Sequence, residues 1–309
     1  MGTPDFAVPT LEALADARDL NLVGVVTQPD RAVGRGWLVE LSQVKRAALE
    51  RDLPLSQPES LRQSAAMAQL AAWEPDVIVV AAFGQILAQD VLNLPPHGCL
   101  NVHGSLLPRW RGAAPVPAAI LAGDGVTGVT IIRMDVGLDT GPILARREEP
   151  VRPDDTWETL EERLARLGAE LLVETLPVYL AGELAPQPQP EEGVTYAEQI
   201  SKQDGLLDWS RPAVELARQV RAFTPWPSAF TTWRGKRLKI VRATPLPDWR
   251  GDRSPGAVVA LADGYAVVTG EGALRLEEVQ LAGKRSMDIA AFLCGQRDCV
   301  GSRLGVAAQ

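Results

Sequence analysis

Three polar side chains stand at spacings that suit the chemistry of a carbonyl group. Asn101 and His103 are separated by a single residue, so both side chains lie on the same face of an extended segment. Asp139 follows in a glycine-bearing loop with the sequence Asp-Val-Gly-Leu-Asp-Thr-Gly. An amide donor, an imidazole and a carboxylate at one point could bind an oxyanion, move a proton and orient the group that moves it.

Each of these residues also has an ordinary structural interpretation. An asparagine near a strand end is commonly a turn or cap residue, a lone histidine is commonly a hydrogen-bonded core residue, and Asp139 could form an Asx turn. The order of the residues favours a catalytic interpretation over the structural one. The pattern Asn-x-His continues as Gly-Ser-Leu-Leu-Pro and is followed later by Asp-x-Gly-x-Asp-Thr-Gly, a combination that coincidence explains poorly.

The residues around this motif indicate strands that end at one edge of a sheet. Residues 76–82 form a nearly continuous apolar and β-branched run, which is typical of a strand covered on both faces. A second strand is predicted over 98–103, so Asn101 and His103 lie at its carboxyl end. Ligands bind at that edge of open α/β sheets.

The first half of the chain alternates between helical and strand patterns. A strand is predicted over 21–27, and helices over 8–17, 41–51 and 61–73. This alternation predicts an α/β fold with a doubly wound, mostly parallel sheet. A dinucleotide-binding enzyme is the first alternative, but Gly34-Arg35-Gly36 lacks the third glycine of its fingerprint, so we do not favour it.

A Pro-rich passage separates two differently patterned halves. Leucine spacing predicts a helix over 156–180, and the prolines at 186, 188 and 190 then exclude a helix or an inner strand. We predict a catalytic domain over 1–184, a semi-rigid linker over 185–204 and a second domain over 205–309.

The second domain is predicted to be a small β-barrel. A helix over 213–223 precedes short alternating strands with glycine-bearing turns between them. These strands are expected over 228–241, 256–261, 265–269 and 274–279.

Composition also indicates the compartment of the protein and the kinds of partner it can have. The 309 residues are 46% hydrophobic and include no signal peptide or membrane-length apolar run, so we expect a cytoplasmic protein without a membrane partner. Of its three cysteines, Cys99 is far from the others, and Cys294 and Cys299 lie near the end without histidine neighbours, so neither a disulfide framework nor a metal site is expected.

The net charge of −8 at first argues against a nucleic-acid partner, but the charge is unevenly distributed. Residues 205–309 contain 15 Lys and Arg against 10 Asp and Glu, whereas the remainder contains 16 against 29. A charge run is often only a solvated face. The basic segment is therefore a candidate RNA-docking surface, with this alternative left open.

The motifs together resemble the formyltransferases that use 10-formyltetrahydrofolate. The resemblance covers almost the whole chain, through the stretch 101–108, the Asp139 loop and the segments 2–9, 27–31, 34–36, 194–197, 201–202, 221–227 and 282–285. Relatives with other amine substrates share the stretch around Asn101. The flanking segments are similar to those of family members that act on an aminoacyl-tRNA.

The resemblance implies a Rossmann-like catalytic domain, an OB-like barrel and transfer of a formyl group to the α-amine of initiator methionyl-tRNA, for translation initiation. That amine has a pKa of about 7.7–8.0 or lower, so no strong base is needed to make the nucleophile. Asn101 and a protonated His103 would donate to the oxyanion, and Asp139 would orient the imidazole.

Further site residues follow from the resemblance. The folate co-substrate would contact Phe83, Gly84, Ile86, Leu87, Ser105, Leu106, Leu107, Pro108 and Asp135. The tRNA would contact Arg31, Arg35, Lys202, Arg218, Arg221, Lys236, Arg237, Lys239, Lys284 and Arg285. We expect a monomer that needs no metal.

Two observations keep other interpretations open. Family members carry a hydrophobic strand before Gly2-Thr3-Pro4, so we expect the first strand to be absent here and the natural protein to begin upstream. A related enzyme that formylates a small or sugar amine would need the same Asn101, His103 and Asp139. An inactive RNA-binding protein on the same scaffold is the other alternative.

Overall fold

The computed structural model describes residues 1–33 and 38–305. The chain forms two compact units. The first comprises Met1–Pro115, Gly125–Pro150 and Leu160–Ala197, and the second comprises Val116–Asp124, Val151–Thr159 and Glu198–Gln309. No helix among the described residues is both long and apolar enough to cross a bilayer.

The strands and helices include several for which the sequence analysis made no prediction. The strands are β1 (Val25–Val26), β2 (Arg31–Val33), β3 (Leu38–Glu40), β4 (Leu55–Ser56), β5 (Ile78–Val80), β6 (Cys99–His103), β7 (Arg111–Gly112), β8 (Val126–Arg133), β9 (Ile143–Pro150), β10 (Tyr196–Ala197), β11 (Phe230–Trp233), β12 (Lys236–Leu246), β13 (Val258–Leu261), β14 (Gly264–Val268), β15 (Ala273–Leu281) and β16 (Met287–Asp288). The helices are α1 (Val8–Asp16), α2 (Gln43–Glu50), α3 (Ser64–Ala72), α4 (Gln89–Leu92), α5 (Pro115–Ala122), α6 (Trp157–Leu180), α7 (Ala213–Ala222) and α8 (Ile289–Gly295).

The first unit contains a mixed sheet in the order β5-β6-β8-β9. Strands β5 and β6 are parallel, whereas β8 pairs antiparallel with both β6 and β9. A further parallel pair joins β1 and β4. The α/β class is confirmed, and the antiparallel part comes from β8 and β9, for which the sequence analysis gave no strand.

Met1 and Gly2 occupy the place of the strand that was expected to be absent. Gly2 pairs with Ala81 in parallel, and its N–H donates to the Val26 carbonyl at 3.0 Å. These bonds connect the β1 and β5 backbones through two residues. A cavity of about 560 Å³ lies beside them, with Val23, Val77 and further apolar residues in its wall.

Helix α6 covers the strand that carries the candidate catalytic residues. Its buried face includes Leu160, Leu164 and Leu172, as the predicted leucine spacing requires. At Gly168 the helix backbone comes so close to the sheet that a Cβ atom would lie 2.6 Å from Val102 Cγ1. Val102 stands between Asn101 and His103, so this contact fixes the helix against β6.

The Pro-rich passage after α6 is hydrogen-bonded into the first unit. Gln187 exchanges two backbone hydrogen bonds with Ile143, at 2.7 and 2.8 Å. Strand β10 then pairs in parallel with β7. Residues 185–197 of the predicted linker therefore belong to the first unit and pack along its surface.

The second unit is an antiparallel sheet in the order β11-β12-β15-β14-β13, with β16 added beside β15. β-bulges between Ile240 and Ala243 bend its longest strand, which favours a curled, barrel-like sheet. The single strand predicted over 228–241 is wrong, because a hairpin forms there. Arg234 and Gly235 both have positive φ, at 50° and 71°, as a two-residue hairpin turn requires.

Replacement of Gly168 by alanine should destabilise the first unit. Overpacking typically costs about 1–3 kcal/mol, whereas alanine gains roughly 1 kcal/mol of helix propensity over glycine. We expect a net loss of about 1 kcal/mol in urea unfolding followed by circular dichroism. Gly125→Ala is the control, because nothing lies within 4 Å of its added Cβ. Equal stability of the two variants would contradict the close contact.

Candidate active site

The fold brings Asn101, His103 and Asp139 together, as the sequence predicts. Asn101 and His103 lie on β6, where they are paired with Ile132 and Thr130 of β8. Asp139 lies in the loop between β8 and β9. Asn101 Nδ2 donates to Asp139 Oδ1 at 3.2 Å, and His103 Nδ1 lies 3.7 Å from Asp139 Oδ2.

The Asp139 carboxylate has a second fixed donor. The Gly112 N–H donates to Asp139 Oδ2 at 2.9 Å, so each carboxylate oxygen accepts one hydrogen bond. Asp139 has a φ of 51°, a left-handed conformation that aspartate tolerates better than most residues. The Asx turn of this loop is formed instead by Asp135, whose Oδ1 accepts from the Gly137 N–H and the Thr140 hydroxyl.

His103 is almost fully buried, and one ring nitrogen already has a partner. Its Nε2 lies 2.9 Å from the Trp110 carbonyl oxygen, which can only accept, so Nε2 carries a proton. Its Nδ1 faces Asp139 at 3.7 Å, beyond direct hydrogen-bonding distance. In the neutral ring Nδ1 is therefore the acceptor. This is the nitrogen that can accept a proton from a substrate.

The loop after β6 is held from behind by Thr130. The Thr130 hydroxyl donates to the Ser105 carbonyl at 2.6 Å and accepts from the Leu107 N–H at 3.0 Å. The Ser105 hydroxyl donates to the Arg109 carbonyl at 2.6 Å. These buried bonds fix the chain that follows His103.

The residues predicted to bind folate fall into two groups. Phe83, Leu87, Ser105 and Leu107 are buried in the protein interior, so their side chains are structural. By contrast, the Ile86 side chain is 83% exposed. Gly84 is exposed, Leu106 is partly exposed and Pro108 is buried.

Two apolar residues of the Asp139 loop are exposed. Val136 is 72% exposed and Leu138 is 58% exposed. The signal was present in the sequence, because apolar residues alternate with Asp and Gly in this loop. An exposed apolar pair beside a polar cluster is a common feature of a ligand site.

The predicted tRNA-binding residues also divide by exposure. Lys202, Lys236, Arg237, Lys284 and Arg285 are exposed, and Lys239 is partly exposed. Arg35 lies outside the described residues, and for Arg31 only the backbone is described, in β2.

Arg218 and Arg221 make contacts within the second unit. Arg221 Nη1 donates to the Asp155 carbonyl at 2.8 Å, and Arg218 Nη1 donates to the Ala122 carbonyl at 3.3 Å. Burial lowers the pKa of the Arg221 guanidinium from its usual value. These two arginines stabilise the unit and are poorer candidates for phosphate contact than the exposed residues.

The second histidine, His97, is held through its backbone. The His97 N–H donates to the Asp76 carbonyl, and the His97 carbonyl accepts from the Tyr179 hydroxyl at 2.7 Å. Among the described residues, no group of three or more His, Cys, Asp and Glu side chains is placed to hold a metal ion.

Two family models match the chain. The model described as formyl transferase covers residues 1–176, and the model of the formyl transferase C-terminal domain covers residues 199–297. The chain belongs to the formyl transferase family.

Two similar sequences carry a narrower name than the family. The methionyl-tRNA formyltransferase of Magnetococcus marinus is 49% identical over 306 residues, which are 99% of this chain and 97% of that protein. The methionyl-tRNA formyltransferase of Myxococcus xanthus is 51% identical over 308 residues, with the same coverage.

One solved structure is similar to this chain in its fold. The N-formyltransferase from Helicobacter canadensis, in complex with folinic acid and dTDP-3-aminofucose, matches with a TM-score of 0.64. Its sequence is 17% identical, and the match covers 92% of this chain and 97% of that one.

Replacement of Thr130 by valine should destabilise the protein by about 2 kcal/mol or more. Valine keeps the shape but leaves the Ser105 carbonyl and the Leu107 N–H buried without a partner, each at a cost of about 1–3 kcal/mol. Thr10→Val is the matched control, because the Thr10 hydroxyl is buried and has no hydrogen-bond partner within the described part of the chain. It should be neutral or stabilising in urea unfolding, and a reversed order would contradict the assigned bonds.

Proposed function

We propose that this chain transfers the formyl group of 10-formyltetrahydrofolate to the α-amine of methionyl-initiator-tRNA, as a monomer in the cytoplasm. The observation that carries the proposal is the convergence of Asn101, His103 and Asp139. It occurs in a chain about half identical, over nearly its full length, to proteins named methionyl-tRNA formyltransferase.

The reaction places its main demand on the tetrahedral intermediate. The unprotonated amine attacks the formyl carbon, the carbonyl oxygen becomes an oxyanion, and the bond from that carbon to N10 then breaks. The amine nitrogen loses a proton after it attacks, and the folate N10 gains a proton when it leaves. The site must therefore stabilise an oxyanion and move a proton between two nitrogens.

Asn101 supplies the amide donor. Its NH₂ group has two hydrogens, and one of them is bound to Asp139 Oδ1. The other donates to the oxyanion, while the Asp139 bond fixes the rotamer from which it does so. An amide held in this way loses little freedom when the charge develops, which favours the transition state.

His103 acts through Nδ1. This nitrogen lies beyond direct hydrogen-bonding distance of Asp139, and a proton placed on it is stabilised by the Asp139 carboxylate at 3.7 Å. The ring therefore takes the proton that the attacking amine releases, donates a charge-assisted hydrogen bond to the oxyanion and returns the proton to N10. Asp139 could also relay the excess ammonium proton through water.

The two substrates are bound by different surfaces. The exposed apolar residues Ile86, Val136 and Leu138 offer contact area for the folate, as does the partly exposed Leu106 of the loop 104–108. The exposed lysines and arginines of the second unit bind tRNA phosphates. The Lys and Arg excess of residues 205–309 supports this assignment.

One assay tests the proposal. The protein is incubated with 10-formyltetrahydrofolate and with charged initiator tRNA, free methionine or a sugar amine. We expect formylation of the charged tRNA. Formylation of the sugar amine instead would favour the related small-amine enzymes, and tRNA binding without any transfer would favour an inactive RNA-binding protein.

Removal of the polar groups of the site should lower turnover. We expect His103→Ala to reduce kcat by about 10²–10⁴-fold. Asn101→Ala should cost about 2.7–4 kcal/mol of transition-state stabilisation. His97→Ala is the control, because its backbone makes the structural hydrogen bonds. Near-normal turnover of His103→Ala would remove His103 from the mechanism.

The salt dependence of tRNA affinity should report on the second unit. Replacement of Lys236, Lys284 and Arg285 by glutamine removes three exposed charges, and the slope of log Kd against log salt should fall by about 0.7–0.9 for each lost phosphate contact. Filter binding measures this slope.

A matched variant controls for net charge. It carries the same substitutions at three exposed arginines of the first unit, Arg18, Arg62 and Arg166. We expect this variant to keep the slope of the unmodified protein. Equal slopes for all three proteins would show that the basic surface does not bind the tRNA.

A further inference from the structure

The Pro-rich passage carries one side chain that reaches the candidate active site. Gln189 Nε2 donates to the Asp139 carbonyl at 2.7 Å and to the Gly141 carbonyl at 2.8 Å. Both hydrogens of the amide are used, and both bonds end on the backbone of the loop that carries the catalytic carboxylate. The side chain thus holds this loop from outside its own sequence.

The other end of the same amide is also fixed. Gln189 Oε1 accepts from Arg111 Nη2 at 2.7 Å and from Arg111 Nε at 3.1 Å. A guanidinium can only donate and a backbone carbonyl can only accept, so these partners determine which atom of the amide is oxygen. The charged donor strengthens the oxygen contacts. Every polar atom of Gln189 is therefore engaged.

Arg111 links Gln189 to the rest of the cluster. The residue after it, Gly112, donates its N–H to Asp139 Oδ2, and the residue before it, Trp110, accepts from His103 Nε2. Gln189 thus holds the Asp139 backbone on one side and, on the other, the segment that contacts both the carboxylate and the imidazole.

The backbone around Gln189 is well anchored. Before it, Gln187 and Ile143 exchange two backbone hydrogen bonds. After it, Thr195 accepts from the Trp110 and Arg111 N–H groups, both at 2.9 Å. A side chain carried by a segment fixed at both ends can restrain the loop it contacts.

The Asp139 loop needs such a restraint. Asp139 itself is left-handed, with a φ of 51°, a conformation that residues with a side chain adopt rarely and at a cost. Without the bonds to its carbonyl and to that of Gly141, the loop would be free to leave this conformation. The carboxylate would then move away from Asn101 and His103.

We propose that Gln189 is a positioning residue for formyl transfer, which holds the Asp139 backbone so that the carboxylate stays beside Asn101 and His103. The inference rests on the proposed function of the same site. A displacement of about 1 Å in a catalytic group can cost about 100-fold in rate. We therefore expect Gln189→Ala to lower kcat by about 10- to 100-fold and to change each KM by less than about threefold.

Two further substitutions make the test specific. Gln189→Glu keeps the oxygen that faces Arg111 but loses both donors to the Asp139 and Gly141 carbonyls, so it should be as impaired as Gln189→Ala. Gln189→Met has similar length without polar atoms and replaces the alanine variant if that variant fails to fold. Gln187→Ala is the matched control, because among the described residues the Gln187 side chain bonds only to the Ala185 carbonyl two residues away.

A double-mutant cycle with Asp139→Asn tests the assigned route. If Gln189 acts through Asp139, then Gln189→Ala should cause less than a twofold further loss of kcat in the Asp139→Asn background. A full additional loss would overturn the inference, because Gln189 would then act independently of Asp139. Near-normal kcat of Gln189→Ala beside an impaired Asp139→Asn would overturn it too, and the proposed function would stand. Near-normal kcat of Asp139→Asn would instead contradict the role assigned to Asp139 in the proposed function.

Discussion

The structure of the candidate site depends on the position of one carboxylate. Asp139 accepts hydrogen bonds from the Asn101 side chain and the Gly112 backbone and faces the His103 ring. A carboxylate this close to the protein interior loses hydrogen bonds to water, and these donors replace them. The same donors fix the direction of the carboxylate toward the imidazole. The contacts from Asn101 and Gly112 therefore both satisfy the carboxylate oxygens and set the geometry of the site.

The sheet provides the rigid half of this arrangement. Asn101 and His103 are held by β6, whose neighbours on both sides are strands and whose Val102 side chain contacts helix α6 at Gly168. Asp139 instead lies in the loop between β8 and β9, outside the sheet. The loop depends on side-chain bonds from other segments, so the Pro-rich passage has a structural reason to pack along the first unit.

The sequence predicted those parts of the fold that local patterns encode. The leucine spacing of 156–180 gave α6 within one residue, and the apolar run at 76–82 gave β5. The hairpin at Arg234-Gly235 was missed, since an arginine at positive φ is not a turn signal. Strands β8 and β9 were also missed, although β8 is buried along most of its length and is rich in β-branched residues.

The candidate site was predictable in part for the same reason. Asn101 and His103 are two residues apart in one strand, so their common face follows from strand geometry. The approach of Asp139 and the role of Gln189 depend on pairing between distant segments, which no local pattern records. Burial is equally non-local, since Phe83 and Leu87 lie in the core while Ile86, between them in sequence, is 83% exposed.

Charge in the second unit shows why composition alone is a coarse guide to binding. Arg221 and Arg218 contribute to the Lys and Arg excess, yet their guanidinium groups bind backbone carbonyls within the unit. Planar guanidinium groups are suited to such contacts because their several donors can satisfy carbonyls without a counter-charge. The lysines at 202, 236 and 284 instead remain exposed. A polyanion that approached the unit would meet this exposed subset, so the electrostatic attraction of the unit is set by which cations the fold leaves in solvent.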